Sequence, residues 1–511
     1  MRLKHLLLPF LLCLAAGATA ATAEQRLYAK STPVAIEDRL DRTLADDWKR
    51  NDIALPHEAS DSVMVRRLYL DLAGRLPTAD EARAYVNSKA PDKRTALIDK
   101  LLASNDFFDY WTMHWCDILR VKSEFPINLW PNAVYGYQRR IRQFLSTNEP
   151  YDHFARALLT TNGSNFRVPE VNFYRATADR TPAGLAKAAA LTFLGIRLEK
   201  QPEKEQQTFI AFFKEVGFKN TKEWKEEIVY LKKRVPPHKV ALPGGTEVMI
   251  PDSGDPRAAF AEAAVAHPYF ARALVNRVWY WFFGLGIVNE ADDLRADNPP
   301  VNPELLDELA DGFVKSGYDF RLLCRRIANS AAYRTTPGSG EKAEQHFASY
   351  PVRRLDAEVL DDAIRDLSGT PSKYSSVIPE PFTFIPPEAR TITLADGSIS
   401  GSFLILFGRP ARDSGTLDER NDSINSSQRL KLFNSGELYR RLGRVLQRPE
   451  LKKLPFPRKL EELYWMFYSR PPTDDEADTI LNAHRRARKK WNLQQDICWI
   501  LLNSREFLYR H

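Results

Sequence analysis

Apolar residues recur every three or four positions along most of the chain, a spacing that places them on one face of a helix. The pattern runs from residue 35 to residue 194 and resumes at 256–369 and 427–511. We therefore predict a mainly α, multi-helical protein. The first eight predicted helices span 35–52, 62–73, 78–87, 92–103, 107–121, 131–147, 151–160 and 182–194.

Two regions break this pattern. From 220 to 255 a charged segment, predicted as a helix, leads into "RVPPHKVALPGGTEVMIPDSGDP", where Pro-Pro and Gly-Gly flank two short alternating runs. This predicts a small hairpin near 235–252 and a linker between two domains. A second irregular β segment is predicted near 382–408. The predicted units are a leader at 1–23, an N-terminal helical domain at 24–218, the linker at 219–255 and a C-terminal helical domain at 256–511.

One helical hairpin is used twice. "GRLPTADEA" at 74–82 matches "SRPPTDDEA" at 469–477, and each is followed by a similar ending, "LLASNDFFDYW" or "LLNSREFLYRH". Thr78 with Glu81, and Thr473 with Glu476, have the spacing of capping boxes that begin helices. A third fragment, "LCRRIANSAAYRT", repeats the ending alone. We interpret the repeat as structural and assign it no chemistry.

The first residues predict export. Arg2 and Lys4 precede an apolar run from about residue 6 to 16, and small residues follow up to Ala20 or Ala23. That run is shorter than the ~20 residues of a membrane span, and no later uncharged run reaches that length, so we expect no transmembrane helix. Cys13 follows Leu12, which argues against a lipid anchor. The expected location is periplasmic or extracellular.

Composition excludes several classes of function. The formal net charge is +7, with two of the positive charges in the leader, and acids alternate with bases along most helices, so we expect no nucleic-acid partner. The basic segment 484–491, "HRRARKKW", is either an ordinary solvated face or a contact for an anionic polymer.

Cys116, Cys324 and Cys498 lie in apolar contexts that predict burial. The histidines lack i, i+4 pairs, and no nucleophile elbow or phosphate loop is present, so no metal site is predicted.

The richest stretch is "HPYFARALVNRVWYWFFGLGIVNEADDLRADNPP". Its apolar residues surround a helix that should be buried, and a polar stripe follows that helix. A buried guanidinium needs a partner. We therefore expect an internal salt bridge to Asp292, Asp293 or Asp297, or else a lined binding pocket. The candidate binding residues here are Arg272, Asn276, Arg277, Asp292 and Asp293.

A charged loop precedes the last group of helices. It reads "FGRPARDSGTLDERNDSINSS". Charges this dense in a loop either bind a ligand or lock two domains together, and the sequence leaves both interpretations open. The candidate binding residues of this loop are Arg409, Arg412, Glu419, Arg420 and Asn421.

These stretches resemble a known family. "VRRLYLDLAGRLPTADE", the long stretch quoted above, "RRLDAEVLDDAI" and "ILLNSREFL" are similar to the exported two-domain family abundant in planctomycetes. In that family a cytochrome-associated domain precedes a planctomycete-specific domain, and both are of unknown function. The resemblance covers about 36–511. Many relatives carry a separate haem-bearing domain ahead of these two, which we expect to be absent here.

The resemblance also implies a lost cysteine site. After "LG(I/V)R" relatives typically carry Cys-x-x-Cys-His, a haem-attachment or metal spacing, whereas this chain has Lys-Gln-Pro-Glu-Lys at 200–204. Relatives also tend to have Cys-x-Cys before Glu-Arg, where this chain has Thr416 and Asp418. We expect the two segments to approach each other, to share one site in cysteine-bearing relatives, and to hold no cofactor here. The charged stretch after 195 is then a solvated helix end.

Three functions follow from these features. The leading hypothesis is a haem-free binding or scaffolding protein of the cell envelope, whose protein partner is encoded nearby. The alternative is an enzyme acting on envelope components or polysaccharide, with Asp292, Asp293 or Glu419 as acid and base. The second alternative is a relic of an electron-transfer protein.

Overall fold

Helices form most of the computed structural model, which describes residues 27–242, 247–338 and 340–511. The predicted leader lies outside the described residues. The helices before residue 256 are Arg39–Arg50, Asp61–Ala73, Ala79–Asn87, Lys93–Leu102, Asn105–Ile118, Pro131–Thr147, Tyr151–Thr160, Asn172–Arg175, Pro182–Leu194 and Glu203–Ala211.

The second half has the same character. Within the described residues, no helix combines the length and the apolar content that a membrane crossing requires. The helices from residue 256 onward are Pro256–Ala266, Pro268–Phe283, Pro303–Lys315, Phe320–Asn329, Ala331–Arg334, Glu341–Gln345, Ala357–Ser368, Ser402–Leu406, Ser426–Asn434, Gly436–Val445, Pro449–Lys452, Phe456–Tyr468, Asp474–Arg486, Lys490–Leu502 and Arg505–Leu508.

The prediction of a mainly α fold is confirmed, and capping residues explain where its boundaries shift. The first helix begins at Arg39 because the Asp38 carboxylate accepts the Asp41 N–H at 2.9 Å. Helix Asn105–Ile118 begins earlier than predicted because Ser104 caps it through the Phe107 N–H.

The predicted charged helix after residue 220 is wrong. Strands Val216–Asn220 and Glu227–Leu231 pair antiparallel there, and the short strand Gly163–Ser164 pairs with the second of them. Consecutive Ile, Val and Tyr at 228–230 favour a strand over a helix. The predicted hairpin does form, between Lys239–Ala241 and Glu247–Met249.

The predicted β segment near 382–408 is also wrong. This region contains a short 3-10 turn at Thr391–Thr393 and helix Ser402–Leu406, and its one sheet-like contact is an isolated bridge between Ser375 and Ser400. Its apolar residues pack individually against the core instead of alternating along a strand; Ile392 and Ile399 are both buried. The remaining described strands are Ala29–Pro33, His57–Ala59, Arg353–Arg354 and Tyr509–Arg510.

Both predicted capping boxes are confirmed, and in each hairpin repeat an arginine also pairs with two acids. Thr78 and Glu81 cap one helix reciprocally, and Thr473 and Glu476 cap the other. Arg75 pairs with Glu81 at 2.8 Å and with Asp106 at 2.7 Å. In the second copy Arg470 pairs with Glu476 at 2.7 Å and with Glu506 at 2.6 Å. The repeat therefore conserves an ion-pair triad that links its two helices.

Contacts cross the predicted domain boundary throughout the core. Helix Asp61–Ala73 is buried, and its arginines reach far along the chain. Arg66 donates to the Phe467 and Phe507 carbonyls, and Arg67 donates to the Thr335 and His511 carbonyls. Pulling the two halves apart would leave buried guanidinium groups unpaired, which is costly.

Candidate functional site

Arg277 carries the buried positive charge of helix Pro268–Phe283. Its guanidinium donates to Asp292 Oδ1 at 2.8 Å and to the Thr192 carbonyl at 2.9 Å, and its side chain is 1% exposed. The second carboxylate oxygen of Asp292 accepts the Leu417 N–H at 2.7 Å. The predicted internal salt bridge therefore forms, and it joins three separate segments of the chain.

Arg272 does not make the predicted salt bridge. Its Nη2 lies 2.5 Å from Asp307 in helix Pro303–Lys315, and its side chain is 36% exposed. The turn of the helix that carries Arg272 faces that neighbouring helix and not the loop after 288. Asn276, in contrast, is fully buried and holds the loop by bonding to both the N–H and the carbonyl of Val288.

Asp293 faces the segment 200–204. Lys200 Nζ lies 2.5 Å from its carboxylate, and Arg295 Nε lies 3.3 Å away. The other predicted partner, Asp297, pairs with Arg295 at the surface instead. Asp292 and Asp293 are thus both engaged by cations, which supports a structural role for them, although the Oδ1 atom of Asp293 is buried without a hydrogen-bond partner.

The charged loop at 407–427, which we call the arginine loop, is tied to two buried carboxylates on different parts of the chain. Asp117, in helix Asn105–Ile118, receives Arg412 Nε at 2.8 Å and Arg420 Nη2 at 2.7 Å. Glu358 receives Arg420 Nη1 at 2.7 Å, and Arg409 Nε lies 3.3 Å from it. We call this set the arginine clasp: Arg409, Arg412 and Arg420 with Asp117 and Glu358.

Glu419 and Asn421 stabilise the loop itself. One Glu419 carboxylate oxygen accepts the Asp413 N–H at 2.8 Å, and the other is buried without a hydrogen-bond partner. Burial raises the pKa of Glu419, although the backbone donors oppose this shift. Asn421 is exposed, and its backbone carbonyl accepts from Arg354. Ligand binding by these loop residues stays a prediction.

The segment just before 200–204 approaches the arginine loop, whereas a direct contact of 200–204 with 416–418 stays a prediction. Arg197 Nη2 lies 3.7 Å from the Asp418 carboxylate. The charged stretch is not the end of the preceding helix, because that helix ends at Gly195 in a left-handed conformation. A 3-10 turn at Leu198–Lys200 and a separate helix at Glu203–Ala211 follow.

The residues now in these segments do not fit a haem. Neither segment supplies a thiol for a thioether bond or an imidazole for iron. Lys200 is paired with Asp293, and the Thr416 hydroxyl is hydrogen-bonded to Ser414. Across the described residues, no cluster of three or more His, Cys, Asp or Glu side chains could hold a metal ion.

A cleft of about 300 Å³ lies at this junction. It is bounded by the start of helix Pro182–Leu194, the segment after that helix, and the arginine loop. Lys122 pairs with Asp413 at its edge, at 2.6 Å. The residues that line the cleft are Arg120, Thr177, Ala178, Asp179, Gly184, Lys187, Ala188, Leu191, Arg197, Glu199, Asp413, Ser414 and Thr416.

Beside the clasp lies a cavity of about 30 Å³, lined in part by His114, Trp281 and Asp356. The His114 ring stacks on Trp281 with centroids 5.2 Å apart, and burial lowers its pKa to about 4. Although burial acts against ionisation of Asp356, Arg510 and Arg420 hold its pKa well below the usual range. The sequence pattern did not single out His114, Asp117, Asp356 and Glu358. Their signals were the polar positions in "HWCDIL" and "RRLDAEVLDDAI".

Three exposed aromatic residues and the half-buried Trp130 form what we call the aromatic surface: Trp130, Trp224, Phe382 and Phe384. The Trp130 ring lies 6.3 Å from Trp224 and 5.5 Å from Phe382, centroid to centroid. Trp224 is 66% exposed, Phe382 54% and Phe384 60%. Phe384 lies two residues after Phe382, and its carbonyl accepts from the Tyr135 hydroxyl.

The remaining candidates are simpler. Cys116, Cys324 and Cys498 are free and buried, as predicted. The basic segment 484–491 begins in the last turn of helix Asp474–Arg486, where the His484 ring stacks on Phe456. Most of its basic side chains are exposed, and a contact with an anionic polymer stays a prediction.

Two family models match the chain in sequence. Residues 39–212 match PSCyt2, described as a protein of unknown function (DUF1549), and residues 256–484 match PSD1, described as a protein of unknown function (DUF1553). A search of curated proteins and a search of solved structures found no match.

Proposed function

Because this chain belongs to the family in which a PSCyt2 domain is followed by a PSD1 domain, we propose that it is an exported, haem-free protein that binds a partner protein in the cell envelope. The observation that carries the proposal is the aromatic surface. Its rings come from the N-terminal block, the predicted linker and the C-terminal block. A partner seated there contacts all three.

The composition of the surface suits protein recognition. Trp and other aromatic residues dominate the binding energy of protein interfaces, whereas monomers rarely expose them in groups. The loops that supply Trp130 and Phe382 also expose Phe125 and Val377, by 80% and 83%. Lys225 lies 5.4 Å from the Trp224 ring and adds positive charge at the edge. We infer a partner with an apolar centre and an acidic rim.

Two of the three candidate acids, Asp292 and Asp293, favour binding over catalysis. A general acid or base needs a proton-exchanging oxygen within reach of a substrate. The Asp292 carboxylate is held by Arg277 and a backbone N–H, and Asp293 is held by Lys200. The arginine clasp likewise engages its carboxylates in ion pairs. These contacts support a rigid body that presents a binding surface.

The haem-free and exported parts of the proposal have separate support. Positions 200–204 and 416–418 carry no thiol or imidazole, so a haem for the electron-transfer alternative would have no ligand there. Export rests on the predicted leader. A protein purified from the exported fraction of its native cell should begin after Ala20 or Ala23 and show no covalently bound haem absorbance.

The test replaces two rings of the aromatic surface. We expect the double variant Trp224→Ala, Phe382→Ala to lose a stoichiometric protein partner that co-purifies with the native chain, with little change in thermal stability because both rings are largely exposed. Trp491→Ala, which removes a 42% exposed ring outside this surface, is the matched control and should keep the partner. If the double variant loses its retention on a polysaccharide and not a protein partner, the result would support the carbohydrate alternative. If it keeps the protein partner unchanged, the proposal would be refuted.

A further inference from the structure

We propose that the cleft between helix Pro182–Leu194 and the arginine loop binds a small ligand through a carboxylate or phosphate group. Arg120 lies in its wall and is 2% exposed. This site lies apart from the aromatic surface, and the inference does not depend on the partner proposed above.

Arg120 is a buried cation with unused hydrogen-bonding capacity. Its Nε donates to the Ala176 carbonyl at 3.1 Å and its Nη1 to the Ile118 carbonyl at 3.2 Å. Nη2 is buried without a partner. Among the described residues, no carboxylate lies within ion-pair distance of Arg120, unlike Arg277, Arg412 and Arg420 in the same region.

The energetic consequence is an uncompensated positive charge. An arginine stays protonated at any physiological pH, and leaving a charged group buried without a counter-charge is costly. Burial lowers the pKa of Arg120, while Tyr137 and Glu419 oppose this shift without forming a hydrogen bond to it. An oxyanion in the cleft would supply both the missing acceptor and the missing charge.

Other groups around the cleft strengthen this preference. Arg197 Nε is also buried without a hydrogen-bond partner, and its nearest carboxylates, on Asp418 and Glu290, are 3.7 and 3.9 Å from Nη2. Lys187 lines the cleft and is exposed. The first turn of helix Pro182–Leu194 adds the positive end of a helix dipole.

The acids of the cleft do not cancel this charge. Asp413 is paired with Lys122 at 2.6 Å, and Asp179 accepts the Thr181 N–H at 3.0 Å. Glu199 is exposed. The buried wall is therefore positive, whereas the acids that line the cleft are paired or exposed to water. A volume of about 300 Å³ matches the lower end of small-molecule pockets.

The experiment titrates the folded protein, without its leader, with inorganic phosphate, succinate and chloride by isothermal calorimetry. We expect saturable binding of phosphate or succinate and none of chloride. Whichever of the two binds more tightly identifies the oxyanion. Arg120→Gln and Arg197→Gln should each weaken binding about 10- to 100-fold, the loss expected for a charge-assisted hydrogen bond.

Controls separate this result from folding defects and from the partner site. Arg167→Gln removes an 83% exposed arginine that does not line the cleft, and it should bind as tightly as the native chain. Trp224→Ala, Phe382→Ala should also retain anion binding, so each site can fail alone. If Arg120→Gln does not fold, Arg197→Gln decides. Unchanged affinity in a folded cleft variant, or no saturable binding of either oxyanion by the native chain, would overturn the inference.

Discussion

Single buried side chains connect distant parts of this molecule. At one of them, His114, the buried surroundings determine the protonation state of the ring. The ring is enclosed by Tyr110, Trp111 and Trp281, and its Nδ1 has no hydrogen-bond partner. Burial disfavours the protonated ring because water cannot solvate its charge there. His114 therefore stays neutral in the folded protein at a pH where an unfolded histidine gains a proton.

This shift makes stability depend on pH in a defined direction. The pKa of His114 is lowered from 6.5 to about 4, so the unfolded state binds a proton first and stability falls as pH drops through this range. We expect His114 to contribute about 3 kcal/mol of this loss between pH 6.5 and pH 4. Chemical denaturation across that range should show a flatter pH profile for His114→Gln. His153→Gln, at a side chain 66% exposed, should keep the native profile, and equal slopes in all three proteins would contradict the prediction.

At the level of elements, the repeated hairpin predicts a rank order of stability. Arg470 is 5% exposed and Arg75 is 20% exposed, yet each holds two acids that join the helices of its hairpin. We expect Arg470→Ala to lower the free energy of unfolding by about 2–4 kcal/mol, because two partly buried carboxylates lose their counter-charge. Arg75→Ala should cost about 1–2 kcal/mol, since water screens its pairs more strongly.

Urea denaturation of Arg470→Ala, Arg75→Ala and the control variant Arg458→Ala measures this order. Arg458 forms an exposed pair with Glu461 within one helix and should contribute less than about 0.5 kcal/mol. Equal losses of unfolding free energy in all three variants would show that the ion pairs of the hairpins contribute no more than an ordinary surface ion pair.

For the whole molecule, the contacts across the predicted domain boundary imply one cooperative unit. Cys116 lies in the first half, and Cys324 and Cys498 lie in the second, all buried. Burial raises the pKa of Cys116 and Cys498 to about 12, so these thiols do not ionise at pH 8 until the chain unfolds. We expect all three to react with a thiol reagent over the same range of denaturant concentration.

An added thiol at the exposed Lys204, in Lys204→Cys, should react without denaturant and thereby confirm that the reagent is active. If Cys116 became reactive at a clearly different denaturant concentration from the other two, the halves would unfold separately, and the clasp of Asp117 with Arg412 and Arg420 would not couple them.

The sequence by itself determined the features that depend on neighbouring residues. Helix spacing and capping boxes act within one or two turns, so the mainly α fold, helix Pro182–Leu194 and the reciprocal caps at Thr78 and Thr473 could be predicted from it. The lack of haem-type ligands at 200–204 is likewise a property of residue identity alone.

Only the tertiary structure decided which distant groups meet. Arg272 and Arg277 lie five positions apart on one helix, yet their partners, Asp307 and Asp292, lie on different sides of it. The strand at Glu227–Leu231 depends on pairing with Val216–Asn220. The aromatic surface and the unpaired Arg120 arise where separate segments pack together. Local periodicity carries no information about such contacts, because the free energy of burying or pairing a charge depends on what the rest of the chain brings beside it.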